Sequence, residues 1–290
     1  MKVADLFCGM GGFSEGFKQA GYDIVYANDN EKECCEIFKA NNPDTEVVCK
    51  DIRKITEVPK VDIVVGSPPC QPFSIASYAK SYDTTFVDEF FRLVKLFEAK
   101  YWIMENVVHL NKFIEQKGVV LDASEFGVPQ KRRREFFSNI LLRPEKTFKV
   151  TVAQALKLKK GSYMLDSRMA HFNEGEREPI DVDKPAPTLT TKCNGLHIIQ
   201  PFNKFMFEVN TAKSIREWVM RYEKKPVHLR RISTNECMIL QGFPLNYEFP
   251  KNMKDTRKYT YIGNSVCPPL SNAIAKNLEK DIGGSINSWM

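Results

Sequence analysis

The chain has 290 residues, of which 43% are hydrophobic and 27% charged, and it carries a net charge of +6. This length allows one large domain and a smaller one, and this composition is typical of a soluble globular protein rather than a disordered one. No apolar run is long enough to cross a bilayer, and the N-terminus enters a predicted strand at once, without a signal peptide. We therefore expect a cytoplasmic protein that is not bound to a membrane.

The cysteines and histidines form no metal-binding pattern. The eight cysteines include no C-x-x-C pair, and the four histidines are scattered along the chain. Cys34 and Cys35 are adjacent, which disfavours an ordinary disulfide between them. The sequence therefore predicts a reduced chain without a metal.

The positive charge is concentrated in one segment. Residues 143 to 229 contain 16 Lys/Arg against 10 Asp/Glu, an excess of +6 that equals the excess of the whole chain. A solvated basic face would explain this, but one segment that carries the entire excess favours a polyanionic partner.

The first half of the chain alternates between apolar runs and amphipathic segments. Strands are predicted at Lys2 to Phe7, Asp23 to Asn28, Val47 to Asp51, Val61 to Val65, Tyr101 to Asn106, Val119 to Ala123 and Glu135 to Leu142. Helices are predicted at Gly12 to Ala20, Glu31 to Asn41 and Phe86 to Glu98, with a short one near His109 to Lys117. This alternation indicates an α/β fold with a parallel or mixed sheet and helices on both faces.

The alternation is lost after about Arg143, where prolines separate isolated apolar clusters. Regular structure returns in a helix that begins at Ser233 or Thr234 and ends at Gly242, and the last helix runs from about Pro269 to Asp281. The predicted organisation is a large domain at 1–142, a small domain at 143–229, and a segment at 230–290 that returns to the large domain.

A cysteine lies between prolines in GSPPCQPFS, residues 66 to 74. The apolar run before it predicts a buried strand, so Cys70 follows the carboxyl end of a strand, where α/β proteins place their chemistry. A cysteine is more often a small buried hydrophobic residue, but Pro68, Pro69 and Pro72 fix the backbone around this one. Cys70 is therefore a candidate nucleophile.

The first three strands end in glycines or polar residues. The first leads into DLFCGMGGFSEGF, whose glycines let a ligand approach the backbone, although Ser14 replaces a glycine of the dinucleotide fingerprint. The second ends near Asp29 and the third at Asp51, where carboxylates suit ribose hydroxyls and an adenine amino group. Each alone would be explained as a turn or cap residue, but together they favour an adenosyl pocket.

Two further strand ends carry charged groups. Glu105 follows the apolar run YWIM, a buried setting in which a carboxyl group can donate a proton. In FGVPQKRRREFF, an extended backbone would turn Arg132 and Arg134 to one side and Lys131 and Arg133 to the other. A thiol, a carboxyl group and arginines beside an adenosyl pocket fit attack on an electron-poor heterocycle, followed by methyl transfer.

The chain resembles the DNA cytosine-5 methyltransferases in a series of ordered motifs. These motifs are DLFCGMGGFSEGF, GSPPCQPFS, ENV, FGVPQKRRR, RRISTNECMILQGFP and YTYIGNSVCPPL, which together span almost the whole sequence. The resemblance implies a class I S-adenosylmethionine-dependent methyltransferase fold, Rossmann-like with a mixed seven-stranded sheet. A small, mostly β or irregular target-recognition domain is then expected between QKRRR and RRIST.

The resemblance also implies a role for each site residue. Cys70 would attack carbon 6 of a flipped-out cytosine, and Glu105 would protonate or hydrogen-bond the base. Arg134 would contact the base carbonyl, and Arg132 would help hold the active-site loop or the nucleophile. The expected cofactor contacts are Phe7, Gly9, Gly11, Asp29, Asn30, Asp51, Ile52, Pro69, Asn264 and Ser265. The expected contacts with double-stranded DNA are Gln71, Ser74, Lys131, Arg133, Thr188, Leu189 and Arg230.

By the same resemblance, the chain is expected to be a monomeric prokaryotic or phage-encoded enzyme of a restriction-modification system, with a companion endonuclease for the same site. Three other functions fit in part. The transfer-RNA-methylating branch of the family shares the catalytic motifs, but its Cys-Phe-Thr element is absent from this sequence. A non-catalytic DNA-binding scaffold would not need all of Cys70, Glu105, Arg132 and Arg134. A nicotinamide oxidoreductase would leave PPCQPFS and QKRRR unexplained.

Overall fold

Seven strands of the chain form one mixed sheet. The computed structural model describes residues 1–69, 84–108, 110, 114–166, 180–191, 195–200 and 228–287. The strands are β1 (Lys2–Leu6), β2 (Asp23–Asp29), β3 (Glu46–Cys49), β4 (Ile63–Gly66), β5 (Tyr101–Asn106), β6 (Val119–Asp122) and β7 (Arg133–Ser138). Their order is β3-β2-β1-β4-β5-β7-β6, and β7 is antiparallel to both of its neighbours. The prediction of a mixed seven-stranded sheet is confirmed.

Alternating side chains of the central strands bury both faces of this sheet. Val3 and Val65 belong to the hydrophobic core on one face, whereas Ala4 and Val64 belong to the core on the other. Strands that are covered on both faces form continuous apolar runs in sequence. This burial is why β1, β4 and β5 could be recognised without an alternating polar pattern.

Helices cover both faces of the seven-stranded sheet, and further helices follow its last strand in sequence. They are α1 (Gly12–Gln19), α2 (Lys32–Asn41), α3 (Thr85–Leu96), α4 (Val152–Leu156), α5 (Thr234–Gln241), α6 (Asp255–Asn264) and α7 (Pro268–Asn287). Phe17 of α1 packs with Ile274 and Leu278 of α7 on one face, and Phe90 and Leu93 of α3 pack on the other. The C-terminal helix α7 therefore packs on α1 at this face of the large sheet, and the closing of a catalytic domain by residues 230–290 stays a prediction.

A second sheet lies between residues 163 and 231. Its strands are β8 (Tyr163–Asp166), β9 (Ile180–Asp181), β10 (Leu196–Gln200) and β11 (His228–Arg231), in the order β11-β10-β8-β9, and all neighbours are antiparallel. Leu196 and Ile198 of this sheet share a core with Leu240 of α5 and Ile262 of α6. The segment after residue 230 therefore packs on the small sheet as well as on the large one. The division of the chain at residues 142 and 229 stays a prediction.

The predicted element bounds differ from the structure by a few residues, and two helices were not predicted. The α5 helix begins after Ser233, whose hydroxyl accepts from the Glu236 backbone, and it ends at Gly242 in a left-handed conformation with φ of 86°. The unpredicted helices are α4 and α6. Of the short helix predicted near His109 to Lys117, residues 109 and 111–113 lie outside the described residues, and residues 114–117 are not helical. Within the described ranges, no helix is long and apolar enough to span a membrane.

Candidate active site

The glycine-rich turn after β1 lies at the carboxyl edge of the sheet, beside the point where the strand order reverses between β1 and β4. Phe7 and Gly9 both adopt a left-handed conformation, with φ of 54° and 52°. A Cβ atom at Gly9 would meet nothing within 4 Å, whereas one at Gly11 would come within 2.6 Å of the Tyr247 hydroxyl. The turn therefore has one packed side and one open side, and the open side is where a ligand can reach the backbone.

Asp29 connects this turn to the beginning of α2. Its Oδ2 accepts from the Gly9 backbone at 2.9 Å, and its Oδ1 accepts from the Glu31 backbone at 2.9 Å. Burial raises the pKa of Asp29, against the effect of these backbone hydrogen bonds. Asn30 follows at an exposed position. The structure thus places Asp29 beside Gly9 of the turn, and an adenosyl pocket at Phe7, Gly9, Asp29 and Asn30 stays a prediction.

Asp51 follows β3 at the same edge of the sheet, and its carboxylate is already engaged. Arg53 donates through Nε to Oδ1 at 3.0 Å and through Nη2 to Oδ2 at 2.5 Å. The Arg53 guanidinium holds the pKa of Asp51 at about 2, so this group is a carboxylate at neutral pH. The neighbouring Ile52 is buried. Contact of Asp51 with an adenine amino group stays a prediction.

The end of α6 lies against the beginning of α1. Asn264 is exposed, and the following Ser265 is buried against the beginning of α1. A Cβ atom at Gly12 would overlap the Val266 carbonyl oxygen and the Ser265 hydroxyl. The two segments therefore pack backbone against backbone, so the position of Ser265 and the position of the glycine-rich turn depend on each other.

Two sets of contacts connect the ends of β4 and β5 with β7, where the predicted catalytic residues lie. The Asn106 side chain donates to the Pro68 carbonyl at 3.1 Å, which ties the loop after β4 to the end of β5. Arg134 Nε lies 3.0 Å from Glu105 Oε1, and this ion pair is largely buried, with side-chain exposures of 19% and 9%. Pro69 is exposed at the end of the described part of this loop. Cys70, Gln71 and Ser74 lie outside the described residues.

The arginine-rich segment alternates as predicted. Lys131 and Arg133 are exposed, whereas Arg132 is buried and Arg134 is partly buried. Arg132 donates through Nη1 to the Leu189 carbonyl at 2.9 Å. The buried arginines therefore reach two partners, the Glu105 carboxylate and the segment around Leu189, and the exposed pair remains available to a ligand.

The Thr188-Leu189 dipeptide lies along the arginine-rich segment. The Thr188 hydroxyl donates to the Lys131 carbonyl at 2.7 Å, and the Leu189 side chain is buried. Arg230 forms a bidentate ion pair with Glu236, with both N–O distances 2.7 Å. The DNA contacts assigned to these residues stay predictions.

Two functional candidates escaped the sequence analysis. Asp5 is buried within β1 and accepts from the Ser14 hydroxyl at 2.6 Å, so it holds the first turn of α1. The Tyr247 hydroxyl donates to the Met10 carbonyl within the glycine-rich turn. A charged residue inside the apolar run VADLF was a signal for Asp5, whereas nothing in the sequence connects Tyr247 to a turn 237 residues away. No group of three His, Cys, Asp or Glu residues that could hold a metal ion occurs among the described residues.

Comparison with known proteins assigns the chain to a family. The sequence matches the model of the C-5 cytosine-specific DNA methylases over residues 1–184 and 145–280. The chain belongs to this family. Enzymes of the C-5 cytosine-specific family take their methyl group from S-adenosylmethionine, and the chain is accordingly a DNA cytosine-5 methyltransferase.

Similar proteins cover the chain along its whole length. It is 29% identical to the type II methyltransferase M.MthTI of Methanothermobacter thermautotrophicus over 99% of both chains. It is 30% identical to the type II methyltransferase M1.HphI of Haemophilus parahaemolyticus over 95% of this chain and 86% of that one. A solved structure described as a DNA modification methyltransferase encoded within a prophage (E. coli) shares the fold, with a TM-score of 0.69, 21% identity, and coverage of 98% and 99%. The predicted family and fold class are confirmed.

Proposed function

We propose that this chain methylates carbon 5 of a flipped-out cytosine within one short sequence of double-stranded DNA, through a covalent bond to Cys70. The observation that carries the proposal is the buried ion pair between Glu105 and Arg134, at the strand end to which Asn106 ties the loop before Cys70. A carboxylate held in one orientation by an arginine suits recognition of a polar heterocycle edge. Family membership supplies cytosine as that heterocycle.

The residues around the glycine-rich turn fit S-adenosylmethionine, which supplies an electrophilic methyl group when bound. The open side of Gly9 lets a ligand approach the backbone, and Asp29 offers carboxylate oxygens beside it. We assign Asn264 and Ser265, at the end of α6, to the same pocket. We assign Phe7, Gly11, Asn30, Asp51, Ile52 and Pro69 to the remainder of this pocket.

In the proposed mechanism, the Cys70 thiolate adds to carbon 6 of cytosine and forms a carbon–sulfur bond, while the electron pair of the 5,6 double bond moves to carbon 5. Glu105 accepts from the exocyclic amine and hydrogen-bonds the ring nitrogen through a proton that the two groups share, which makes the ring a better electrophile, and Arg134 contacts the base carbonyl. Carbon 5 then takes the methyl group, whose bond to the sulfur of its donor breaks, and loses its proton to solvent. The electron pair of the broken carbon–hydrogen bond restores the 5,6 double bond and expels Cys70 as a thiolate. Carbon 6 is inaccessible in a stacked duplex, so the base must first be flipped out.

DNA binding is assigned to the exposed basic residues and to the small domain. Lys131 and Arg133 are exposed beside the catalytic arginines, where they can reach phosphates. The excess of 16 Lys/Arg over 10 Asp/Glu between residues 143 and 229 favours a polyanionic partner for the small domain. Gln71, Ser74, Thr188, Leu189 and Arg230 are proposed as further DNA contacts.

We further propose a monomeric, cytoplasmic enzyme, with a companion restriction endonuclease that acts on the same sequence. The similar type II methyltransferases support this assignment, and both proposed substrates occur in the cytoplasm. Light scattering of the purified protein tests the monomer. A dimer at micromolar concentration would contradict it.

The covalent step can be tested with DNA that contains 5-fluorocytosine, because fluorine cannot leave carbon 5 as a proton does and the adduct persists. Incubation with S-adenosylmethionine should give a protein–DNA band that survives denaturation, and Cys70→Ala should give none. Unlabelled plasmid DNA should compete for methyl transfer, whereas transfer RNA should not. Competition by transfer RNA alone would assign the chain to the RNA branch, and a folded protein without any adduct would indicate a non-catalytic DNA-binding protein.

A further inference from the structure

Two buried glutamine side chains connect the segment around Thr188 and Leu189, the recognition segment, to the end of α6 at Asn264 and Ser265, the cofactor motif. The Leu189 backbone N–H donates to Gln130 Oε1 at 2.7 Å, and Gln130 Nε2 donates to Gln241 Oε1 at 2.8 Å. Gln241 Nε2 in turn donates to the Ser265 carbonyl at 2.6 Å. Both glutamines have 0% exposure, so this chain of hydrogen bonds, the glutamine relay, is shielded from water.

The backbone fixes the orientation of both amides. The Leu189 N–H can only donate, so the Gln130 atom that faces it must be the oxygen. The carbonyls of Leu240 and Ser265 can only accept, so they must face the NH2 groups of Gln130 and Gln241. These requirements agree at the bond between the two side chains, so neither amide can flip without leaving a buried group unsatisfied.

The two ends of the relay lie on different functional elements. At one end, Leu189 also accepts from Arg132, next to the Arg134–Glu105 ion pair. At the other end, Ser265 packs on the backbone of Gly12, which begins α1 after the glycine-rich turn. A shift at either end would stretch the relay and strain short, buried hydrogen bonds.

We infer that Gln130 and Gln241 are positioning residues that couple the recognition segment to the cofactor pocket, so that each ligand favours the binding of the other. The identity of the two ligands, DNA and S-adenosylmethionine, rests on the proposed function. The relay has one fully bonded arrangement. A ligand that fixes Ser265 against α1 therefore also fixes Leu189, and the reverse holds by thermodynamic linkage.

The test measures the dissociation constant of S-adenosylhomocysteine by calorimetry, first without DNA and then with a saturating duplex that carries the cytosine context found by bisulfite sequencing. The coupling ratio is the first constant divided by the second. The wild-type ratio should lie in the range of about 5 to 150 that is typical of coupled sites. Gln130→Met and Gln241→Met preserve volume but remove the amides, so each should bring the ratio to about 1. The double variant should show no further change.

A matched control removes a different buried hydrogen bond between the small sheet and α6. The Tyr259 hydroxyl donates to the Ile232 carbonyl at 2.6 Å, so Tyr259→Phe should lower stability while it preserves the wild-type ratio. A ratio that persists in the glutamine variants would overturn the inference. Loss of the ratio in Tyr259→Phe as well, or a wild-type ratio of 1, would also overturn it.

A second measurement needs no variant. Binding of S-adenosylhomocysteine to the wild-type protein should slow hydrogen exchange of the Leu189 amide, which ends the relay, by several-fold. The Ala186 amide is the control, because it bonds to the Pro129 carbonyl at 2.8 Å and not to either glutamine. Equal effects on both amides would refute the relay. If the wild-type protein methylates DNA but this result fails, the inference is wrong and the proposed function stands; if it methylates no DNA, the proposed function fails first.

Discussion

Asp5 gives the protein a pH dependence of stability that one substitution should remove. Burial raises the pKa of Asp5 to about 7, against the effect of hydrogen bonds from Ser14. A solvated aspartate has a pKa of about 3.9, and each pH unit of difference corresponds to about 1.4 kcal/mol, which gives about 4 kcal/mol in total. The folded state binds this proton more tightly than the unfolded state. The stabilisation is therefore complete below about pH 4 and is lost as the pH rises to about 7.

The assay is urea unfolding of the wild type and of Asp5→Asn at pH values from 4 to 8. Asparagine keeps an acceptor for Ser14 but carries no charge, so the variant should match the wild type near pH 4 and exceed it by up to about 4 kcal/mol at pH 8. Asp44→Asn, which removes an exposed carboxylate, should follow the wild type throughout. Parallel curves for wild type and Asp5→Asn would show that Asp5 is not held in a buried, protonated state.

Three further results are expected. Arg134→Gln leaves the Glu105 carboxylate buried without its partner, so the free energy of unfolding in urea should fall by about 3 to 5 kcal/mol. Adding Glu105→Gln should restore most of that loss, and no recovery would argue against the ion pair. A Cβ atom at Gly12 would overlap the Val266 carbonyl and displace the glycine-rich turn, so Gly12→Ala should weaken the binding of S-adenosylmethionine, measured by calorimetry, by about tenfold or more. Unchanged binding would refute the proposed pocket. DNA affinity should fall steeply with salt, and replacing Lys131 and Arg133 with alanine should reduce the logarithmic slope by about 2; an unchanged slope would remove both residues from the phosphate contacts.

Strand ends were predictable because burial on both faces makes each central strand a continuous apolar run. The positions of Asp29, Glu105 and Pro68 at one edge follow from those runs and from the parallel order of the strands. The α5 helix was predictable from local chemistry, since Ser233 begins its capping box and Gly242 supplies the left-handed end.

The α6 helix was not predictable because its sequence, DTRKYTYIGN, is dominated by tyrosines and polar residues and contains a glycine. Gly263 is required there by a distant neighbour, since a Cβ atom at this position would overlap the Thr190 backbone. The glutamine relay was hidden for the same reason: Gln130 and Gln241 are 111 residues apart, and a buried amide pair leaves no periodic signal in sequence. Tertiary contacts of this kind decide the packing of the recognition segment.

The central claim is sequence-specific methylation of cytosine through Cys70. Its most direct test is bisulfite sequencing of DNA from methylation-deficient cells that express this chain or its Cys70→Ser variant at equal soluble levels. We predict that the wild type protects cytosines in one short sequence context from bisulfite conversion. The Cys70→Ser variant should protect none. Absence of protection by a soluble wild-type protein that binds S-adenosylmethionine, or equal protection by the variant, would contradict the account.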